Sequence, residues 1–395
     1  MDKKLSDYIN YIKKKNNTNI YIFGAGIAGG LLYDICKDNG IKIKGFCVTD
    51  KKGNKDSYKS LPVFSAEELK KEASNILILI GVIERGENKI QTFLKNQGFS
   101  YIIPILENIL DYDEWSLRRY KSPIIEVTAK IGCAVNCYYC PQSLLIKSYF
   151  SENKSRKSEM SFEDFKSYID KMPANTIVDF SGFVEPFLNS DSIKMMEYVV
   201  ETGRECTLFT TFRGLHLAEF ERLVKIPFKY VCVHTPDENG YANIPMTKEY
   251  FEIIKKALSA KKPNGTDFID VANCQSKPHP DILKITEGKL KIYCEMSDRA
   301  GCLDASDTAL AHCNKTGAIK CSRAAAMNHF VLLPDGSLAL CCNDFGLKHI
   351  VGNLNSESYE QIMKGSVMKN LFEQMKDTGT EDIICRKCMF AVEEK

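Results

Sequence analysis

The stretch "IIEVTAKIGCAVNCYYCPQ", residues 124–142, joins an apolar segment to a loop that carries three cysteines. The segment "IIEVTA" has the length and the branched apolar side chains of a buried β-strand. Cys133, Cys137 and Cys140 follow within eight positions, with no fourth cysteine nearby. Three thiols on so short a loop are expected to point at a common centre.

Residues 120–300 alternate between strand-like and helix-like segments. Five further strand candidates follow the first one: "TIVDFSG", "CTLFTT", "YVCVHT", "FIDVAN" and "KLKIYCEM". Helical stretches such as "SFEDFKSYIDKM" lie between several of them. Parallel strands with crossover helices predict a partial (β/α)6 barrel, which we assign to residues 113–300. Because such barrels hold their sites at the carboxyl ends of the strands, we expect the three-cysteine loop at that rim.

The first segment, residues 1–112, has a glycine pattern directly after a strand. "NIYIF" is followed by Gly24, Gly26 and Gly29 and then by a helical stretch. Further alternation of strands and helices predicts a Rossmann-like parallel sheet. The glycines would let a phosphate approach the helix N-terminus, and Asp50 ends the second strand, where a ribose-binding acid is expected. The pattern indicates a nucleotide or sugar-nucleotide site, with a tight turn that serves only packing as the alternative.

Composition limits the partners and the compartment. The formal net charge is +2 and the lysines are scattered among acids, so we expect no nucleic-acid partner. No apolar run approaches the roughly 18–20 residues needed to cross a bilayer, and the polar start lacks the apolar centre of a secretion signal. We therefore expect a cytoplasmic protein without a membrane partner. In that reducing compartment, the 16 cysteines favour metal or redox chemistry over disulfides.

The spacing of the three-cysteine loop narrows the choice of centre. Iron–sulfur cubes are normally held by four thiolates, and three would leave one iron open, as a catalytic metal requires. Structural zinc prefers four ligands in pairs of two-residue spacing, whereas this loop is Cys-x3-Cys-x2-Cys. The loop contains no histidine, so a zinc site would need a remote ligand. The spacing favours an iron–sulfur cluster, with zinc as the alternative.

The last segment, residues 301–395, predicts a small cysteine-rich α+β domain. Cys321 precedes the hairpin signal "HFVLLPDGSLALCC", which carries Cys341 and Cys342, and "CRKC" supplies Cys385 and Cys388. One thiol before a hairpin, one on it and a Cys-x2-Cys pair predict a four-thiolate site. Adjacent strand residues face opposite ways, so only one cysteine of the hairpin is expected to be a ligand. Structural zinc is again the alternative, since four thiolates suit it too.

The segment from Cys133 to Cys140 resembles the signature of the radical S-adenosylmethionine (SAM) enzymes, including the aromatic residue directly before the last cysteine. The resemblance implies that the three cysteines hold a 4Fe–4S cluster whose open iron binds SAM. It also implies reductive cleavage of SAM to a 5′-deoxyadenosyl radical that takes a hydrogen atom from the substrate. Tyr139 is implied at the adenine pocket.

Two further segments resemble SAM-contacting parts of this family. The stretch "DFSGFVEPFLN" is similar to the family's glycine–glutamate motif. This similarity implies that Gly182 and Glu185 meet the methionine amino group of SAM, with a strand-to-helix turn as the alternative. Thr210 and Thr211, which end the third strand of the barrel, correspond to a position on the ribose side of SAM.

The tail resembles the shortened SPASM domain, called twitch, of radical SAM enzymes. The resemblance implies one auxiliary 4Fe–4S cluster whose ligands are Cys321, Cys341, Cys385 and Cys388. Cys341 is preferred to Cys342 because it fits the family's glycine-x4-cysteine spacing from the turn glycine of the hairpin. We expect such a fully coordinated cluster to move an electron.

The stretches "SDRAGCL" and "CCNDFGLKHIVGNL" resemble SPASM-type proteins of polysaccharide and antibiotic-sugar pathways. The implied reaction is dehydrogenation of a sugar, nucleotide sugar or cyclitol, with flavodoxin or ferredoxin as electron donor. Asp298, Asp237 and His234 lie near predicted strand ends and are candidate bases for the alcohol proton. Arg299 is a candidate bidentate ligand for a phosphate or carboxylate. For all four residues, a structural ion pair is the alternative.

Three other functions remain alternatives at this point. A peptide-modifying radical SAM enzyme would have a similar layout. An NAD-dependent dehydrogenase built on the glycine pattern would leave the cysteines without a role. A non-catalytic iron–sulfur or zinc scaffold would not explain the Gly182–Glu185 segment.

Overall fold

The structure is a computed structural model that describes most of the chain. The described residues are 3–15, 19–51, 54, 56–82, 89–105, 122–151, 157–287, 292–294, 298–303, 314–321, 323–324, 327–376 and 383–393. The chain divides into two compact units, Met1–Arg118 and Arg119–Lys395. The predicted boundary at residue 112 lies outside the described residues, and the predicted division at residue 300 stays a prediction. Within the described part, no helix is both long and apolar enough to cross a membrane.

The N-terminal unit is a sheet with helices on both faces. Its strands are β1 (Asn19–Phe23), β2 (Ile43–Val48), β3 (Ser57–Tyr58), β4 (Leu61–Ser65), β5 (Ile76–Ile80) and β6 (Tyr101–Ile103). Its helices are α1 (Lys3–Lys13), α2 (Ile27–Asp38), α3 (Ala66–Leu69) and α4 (Lys89–Asn96). The strand order is β3-β4-β2-β1-β5-β6, and every pairing except the β3–β4 hairpin is parallel. The predicted Rossmann-like parallel sheet is confirmed.

The second unit contains the predicted partial barrel. Its six strands are β7 (Ile124–Val127), β8 (Ile177–Phe180), β9 (Glu205–Thr210), β10 (Tyr230–His234), β11 (Val271–Cys274) and β12 (Ile292–Cys294). The helices along this part are α5 (Gln142–Ser151), α6 (Phe162–Asp170), α7 (Ser192–Glu201), α8 (Leu217–Leu223), α9 (Lys248–Ser259) and α10 (Pro280–Thr286). All six strands pair in parallel and in chain order. The (β/α)6 prediction is confirmed.

Alternation along the barrel strands separates a core face from a polar face. Val178, Phe180 and Leu208 belong to one apolar core with residues of the surrounding helices. Their strand neighbours Asp179 and Thr207 are buried but polar. Because successive side chains of a strand point to opposite faces, these polar residues face the barrel interior. The barrel therefore presents hydrogen-bonding groups beneath the rim where the site is expected.

The C-terminal residues extend the same sheet. They form β13 (Ile319–Cys321), β14 (His329–Leu332), β15 (Ser337–Ala339), β16 (Ile350–Asn353), α11 (Tyr359–Lys364), α12 (Ser366–Lys376) and β17 (Ala391–Glu393). Strand β14 pairs in parallel with β7, and β15 and β16 continue as antiparallel strands, which gives nine strands in one sheet. Strands β13 and β17 form a separate antiparallel pair. The predicted cysteine-rich α+β segment is thus joined to the barrel by backbone hydrogen bonds.

Candidate active site

The three-cysteine loop is held by hydrogen bonds at the carboxyl end of β7. Gln142, the first residue of α5, accepts from the Cys133 N–H at 3.2 Å. Its amide nitrogen lies 2.8 Å from the Phe183 carbonyl and 3.4 Å from the Cys140 sulfur. This buried glutamine therefore ties two of the cysteines to the loop after β8. The sequence analysis missed Gln142, because a single amide beside a helix start is no signal by itself.

The outer edge of the loop packs on the segment after β10. The Tyr138 N–H donates to the Tyr241 carbonyl at 2.7 Å, and the two rings stack with centroids 5.2 Å apart. The Asn243 N–H donates to the Val135 carbonyl at 2.8 Å. These contacts fix the direction in which the loop leaves the strand.

The three thiols share one half-buried environment. Burial raises the pKa of Cys137 to about 12, and it also raises the pKa values of Cys133 and Cys140. The negative charges of the neighbouring cysteines raise the pKa of Cys137 further. Among the described residues, no three His, Cys, Asp or Glu side chains are close enough to bind a single metal ion. The three thiols fit a positively charged iron–sulfur group, which would stabilise them as thiolates.

The glycine–glutamate segment lies directly against this loop. The Glu185 N–H points at the Cys133 sulfur at 3.4 Å. The buried Glu185 carboxylate accepts from the Thr210 hydroxyl at 2.6 Å and from the Thr211 N–H and hydroxyl at 2.6 and 2.7 Å. Burial raises the pKa of Glu185, although these hydrogen bonds lower it. Three of the residues implied by the family resemblance therefore lie together beside the first cysteine.

Gly182 allows the close approach of this segment to β7. Its φ is +54°, and a Cβ placed there would lie 2.3 Å from the Thr128 hydroxyl and 3.0 Å from the Val127 backbone. The Thr128 hydroxyl in turn accepts from the Phe183 N–H at 2.9 Å. A side chain at position 182 would thus push the segment that carries Glu185 away from the strand.

We expect Gly182→Ala to weaken SAM binding by at least about tenfold and to lower the unfolding temperature. The left-handed backbone alone costs about 1–2 kcal/mol for alanine, and the clash with Thr128 adds to it. Gly203→Ala is the matched control, because Gly203 has a φ of +77° but nothing within 4 Å of the added methyl group. Equilibrium binding of SAM to oxygen-free reconstituted protein and thermal unfolding would measure both effects. Equal SAM affinity of the two variants would contradict the importance of this contact.

A second group of predicted residues surrounds Tyr139. Tyr139 is buried, and the Arg299 guanidinium lies 5.9 Å from the centre of its ring and 5.7 Å from that of Phe345. Burial lowers the pKa of Arg299, but the charges of Cys140 and Cys342 outweigh this effect and raise it overall. Arg299 also has a φ of +52°, a conformation that costs energy for a non-glycine residue. The arginine is therefore a half-buried cation near thiols and aromatic rings.

His234 ends β10 near this cation. Burial lowers the pKa of His234 to about 4, and the positive charge of Arg299 acts in the same direction. Its ring lies 6.4 Å from that of Phe209. At neutral pH the imidazole is therefore uncharged and is able to accept a proton.

The two predicted aspartates make local backbone contacts. Asp237 accepts from the Asn239 and Tyr241 N–H groups at 3.0 and 3.3 Å and from the Ser276 hydroxyl at 2.8 Å. Asp298 accepts from the Ala300 N–H at 3.1 Å and begins a short 3₁₀ turn. Both side chains are buried. These contacts give both residues a part in holding the loops, and their role as bases stays a prediction.

The predicted auxiliary ligands line one cavity. Cys321, Cys341, Cys385 and Cys388 all contribute to its wall, together with Cys342. Burial raises the pKa of Cys385 to about 12 and also raises that of Cys388. Four thiols around one space, one buried and three half-buried, fit a positively charged iron–sulfur group, as the loop thiols do.

Buried contacts bring these four cysteines together. Cys321 ends β13 and pairs with Ala391 of β17, just after the Cys385–Cys388 segment. Arg386, between those two cysteines, is buried and donates to the carbonyls of Lys315, Gly317 and Gln374. The Asn343 amide lies 3.7 Å from the Cys388 sulfur. The separated cysteines are thus held by backbone pairing and by one buried guanidinium.

Cys341 and Cys342 lie in different surroundings. Cys341 packs against the apolar cluster that contains Ile384 and Cys388. Cys342 packs against the cluster that contains Phe345, as does Cys140 of the first loop. Both thiols line the auxiliary cavity, and they differ in the apolar cluster against which each packs.

The glycine turn of the N-terminal unit has the geometry of close packing. A Cβ on Gly29 would lie 1.9 Å from the Gly24 carbonyl oxygen, and Gly24 has a φ of +110°. Gly26 begins α2 without a side-chain cap, and its carbonyl accepts from the Tyr58 hydroxyl at 3.2 Å. Asp50 lies exposed after β2. The glycines therefore have packing reasons of their own, and nucleotide binding stays a prediction.

The comparison with known families identifies the C-terminal segment. Residues 321–389 match the SPASM family, an iron–sulfur cluster-binding domain. The match begins at Cys321 and includes every predicted auxiliary ligand, and the same chain carries the Cys-x3-Cys-x2-Cys loop at a barrel rim. Residues 321–389 are therefore similar to an iron–sulfur cluster-binding domain of the SPASM type. The expected auxiliary iron–sulfur cluster agrees with this match.

Several solved structures are similar to this chain at low sequence identity. The chain is similar to BtrN in complex with AdoMet and 2-DOIA, at 15% identity and a TM-score of 0.46, over 68% of this chain and 92% of BtrN. The likeness to anSMEcpe with bound AdoMet has 15% identity and a TM-score of 0.38, over 68% of this chain and 83% of anSMEcpe. The likeness to Streptococcus suis SuiB bound to precursor peptide SuiA has 11% identity and a TM-score of 0.40, over 78% of this chain and 76% of SuiB. No curated protein matches.

Proposed function

We propose that the chain is a radical SAM enzyme that dehydrogenates a secondary alcohol of a sugar, nucleotide sugar or cyclitol. The observation that carries the proposal is the position of Arg299, whose half-buried guanidinium lies near Tyr139 of the three-cysteine loop and near Phe345 of the C-terminal segment. Two thiol sets in one compact unit, with a cation near residues of both segments, suit a reaction that removes a hydrogen atom and then an electron. When bound, the two clusters and SAM supply the radical that takes the hydrogen and the acceptor for the electron.

The residues that would hold SAM and its cluster follow from the geometry. Cys133, Cys137 and Cys140 would be the thiolate ligands of the cluster. Glu185 has an ammonium group as its natural partner, since it is a buried carboxylate whose position is fixed by two threonines. Thr210 and Thr211 would then act by orienting this carboxylate, and Tyr139 would cover the adenine.

The C-terminal thiols would hold the second cluster. We propose Cys321, Cys341, Cys385 and Cys388 as its ligands, since Cys341 packs against the apolar cluster that contains Cys388, whereas Cys342 packs against the cluster that contains Phe345. A cluster with four protein ligands has no open iron, so electron acceptance is the chemistry left to it. Structural zinc is the alternative at this cavity.

The substrate would lie near Arg299. This guanidinium offers paired N–H donors to a phosphate or carboxylate of the substrate. The neutral His234 and the two loop-bound aspartates, Asp237 and Asp298, are the candidate proton acceptors predicted from the sequence. We also propose a nucleotide or sugar-nucleotide phosphate at the uncapped start of α2, where the N–H groups of the first turn face the end of the helix.

The protein would work in the cytoplasm with a low-potential electron donor. Flavodoxin or ferredoxin would supply the electron that starts SAM cleavage. A reducing compartment keeps the 16 cysteines as free thiols, so that the proposed ligands among them are able to bind the clusters.

The proposal predicts that the oxygen-free protein, given SAM and a reductant, removes two hydrogens from one member of a panel of nucleotide sugars and cyclitols. Mass spectrometry of the substrate and chromatography of 5′-deoxyadenosine would measure the reaction. We expect a brown protein with about eight iron atoms per chain. SAM cleavage without loss of hydrogen from any polyol, or hydrogen loss from a peptide instead, would contradict the proposed substrate class. A colourless zinc protein that reduces NAD would contradict the radical chemistry as well.

A further inference from the structure

The first barrel strand carries a buried carboxylate that the reaction described above does not use. Glu126 lies in the middle of β7 and is 6% exposed. Its strand neighbours Ile125 and Val127 pack into the core shared with the helices. Glu126 therefore faces the barrel interior, beside its register partner Asp179 of β8.

The partner of this carboxylate comes from the SPASM segment. The Nε2 atom of His329, the first residue of β14, lies 2.7 Å from the Glu126 Oε1 atom. The two residues are 203 positions apart and meet because β14 pairs in parallel with β7. Burial raises the pKa of Glu126, but the hydrogen bond and charge of His329 outweigh this effect and lower it overall. The carboxylate is therefore ionised, with the His329 imidazole within ion-pair distance of it.

The pair lies in the cavity of the C-terminal thiols. Glu126 and His329 line this cavity together with the proposed auxiliary ligands and Cys342. The Cys342 thiol is near enough to both Glu126 and Arg299 for their charges to act on its pKa in opposite directions. The carboxylate is therefore beside the proposed electron acceptor, and one thiol links it electrostatically to the cation proposed to bind the substrate.

We propose that Glu126 is the base that takes the hydroxyl proton of the substrate radical, and that His329 is a positioning residue that orients it. The assignment rests on the proposed dehydrogenation. Loss of the carbon-bound hydrogen atom to the 5′-deoxyadenosyl radical leaves a carbon radical that still carries its O–H group. The O–H bond breaks toward a Glu126 oxygen, and the unpaired electron passes to the oxidised auxiliary iron–sulfur cluster as the C=O bond forms. The substrate thus loses one hydrogen atom, one proton and one electron.

The contacts distinguish Glu126 from the aspartates predicted from the sequence. Asp237 accepts through Oδ1 from two N–H groups of its own loop and from the Ser276 hydroxyl, and Asp298 accepts through Oδ1 from the Ala300 N–H, so both side chains are tied to their loops. Glu126 differs in that its nearest charged partner is the imidazole of His329, from a distant strand. A carboxylate beside an imidazole has a second group with which a proton is shared.

The test separates hydrogen abstraction from proton loss. With substrate deuterated at the reacting carbon, we expect Glu126→Gln to lower formation of the dehydrogenated product by about 100-fold or more. Deuterium transfer into 5′-deoxyadenosine should fall less than threefold, and freeze-quench electron paramagnetic resonance should show an accumulated substrate radical. Glu159→Gln is the matched control, because it removes an exposed carboxylate whose ion pair with Lys130 spans 3.4 Å.

Two further variants keep the test decisive. Glu126→Asp should restore much of the product, and His329→Gln should lower product formation about tenfold while deuterium transfer continues. A parallel fall of product and deuterium transfer in Glu126→Gln, or uncoupling by His234→Gln alone, would overturn the role of Glu126 while the proposed function stands. A wild-type protein that transfers deuterium to 5′-deoxyadenosine but forms no dehydrogenated product would overturn the proposed function and this assignment together.

Discussion

Replacing Cys137 with alanine should abolish the release of 5′-deoxyadenosine from SAM. Cys137 is the middle thiol of the loop, and it shares its half-buried environment with Cys133 and Cys140. A cube that has already left one iron without a protein ligand would keep only two. Because the cluster and SAM carry the radical chemistry, we expect a loss of at least about three orders of magnitude. Chromatography after incubation with dithionite, with iron counted on the same sample, measures it.

The matched control for this variant is Cys206→Ala. Cys206 is also a barrel cysteine, but it lies fully buried on β9 in the apolar core shared with the helices. Its loss should cost about 1 kcal/mol of stability and leave the iron content and SAM cleavage unchanged. A Cys137→Ala protein that still releases 5′-deoxyadenosine would show that the cluster is held elsewhere.

The sheets were predictable because their strands are short apolar segments that alternate with helices. The signals for β7 to β12 lie within each segment, so each strand was found from local sequence alone. The pairing of β14 with β7 was not predictable in this way. Its register joins His329 to Ile124 across most of the second unit, and no local pattern marks a strand for a distant partner.

The same difference, between local sequence signals and distant strand pairing, explains why the cysteines of the loop were predicted and the Glu126–His329 pair was not. Cys133, Cys137 and Cys140 are close in the chain, so their spacing alone indicates a common centre. Glu126 and His329 come together only through the unpredicted strand pairing. The one local signal for Glu126 was a carboxylate inside the apolar strand "IIEVTA", where an unpartnered charge would be costly.

The two predicted aspartates show that a polar residue after a strand is an ambiguous signal. Such a residue is a candidate base, but aspartate is also frequent there because it accepts from nearby backbone N–H groups. Asp237 does so toward Asn239 and Tyr241. The backbone conformation of Arg299 was not predictable from the sequence, because arginine rarely has a φ of +52°. Its position near two aromatic rings depends on Phe345, which comes from the distant hairpin region.

The second large effect is expected from Cys388→Ala. Cys388 lines the auxiliary cavity, and its sulfur accepts from the Phe390 N–H at 3.4 Å and from the Asn343 amide at 3.7 Å. Without it, the second cluster would lose one of four thiolates, and the iron content should fall from about eight to about four atoms per chain. Formation of dehydrogenated product should fall by about 100-fold or more, while SAM cleavage should fall less than threefold, because the first thiol set uses other residues.

Cys302→Ala is the control for this effect. Its thiol is half-buried in the same region and donates to the Asn343 carbonyl at 3.5 Å, but it lies outside the cavity wall. It should keep the full iron content and both activities. If SAM cleavage and product formation fall equally in a folded Cys388→Ala protein, the second cluster is needed before the radical forms, and a purely downstream electron acceptor is wrong. If the wild type holds four iron atoms and one zinc ion instead, the cavity is a structural zinc site, and the second electron must leave the substrate by another path.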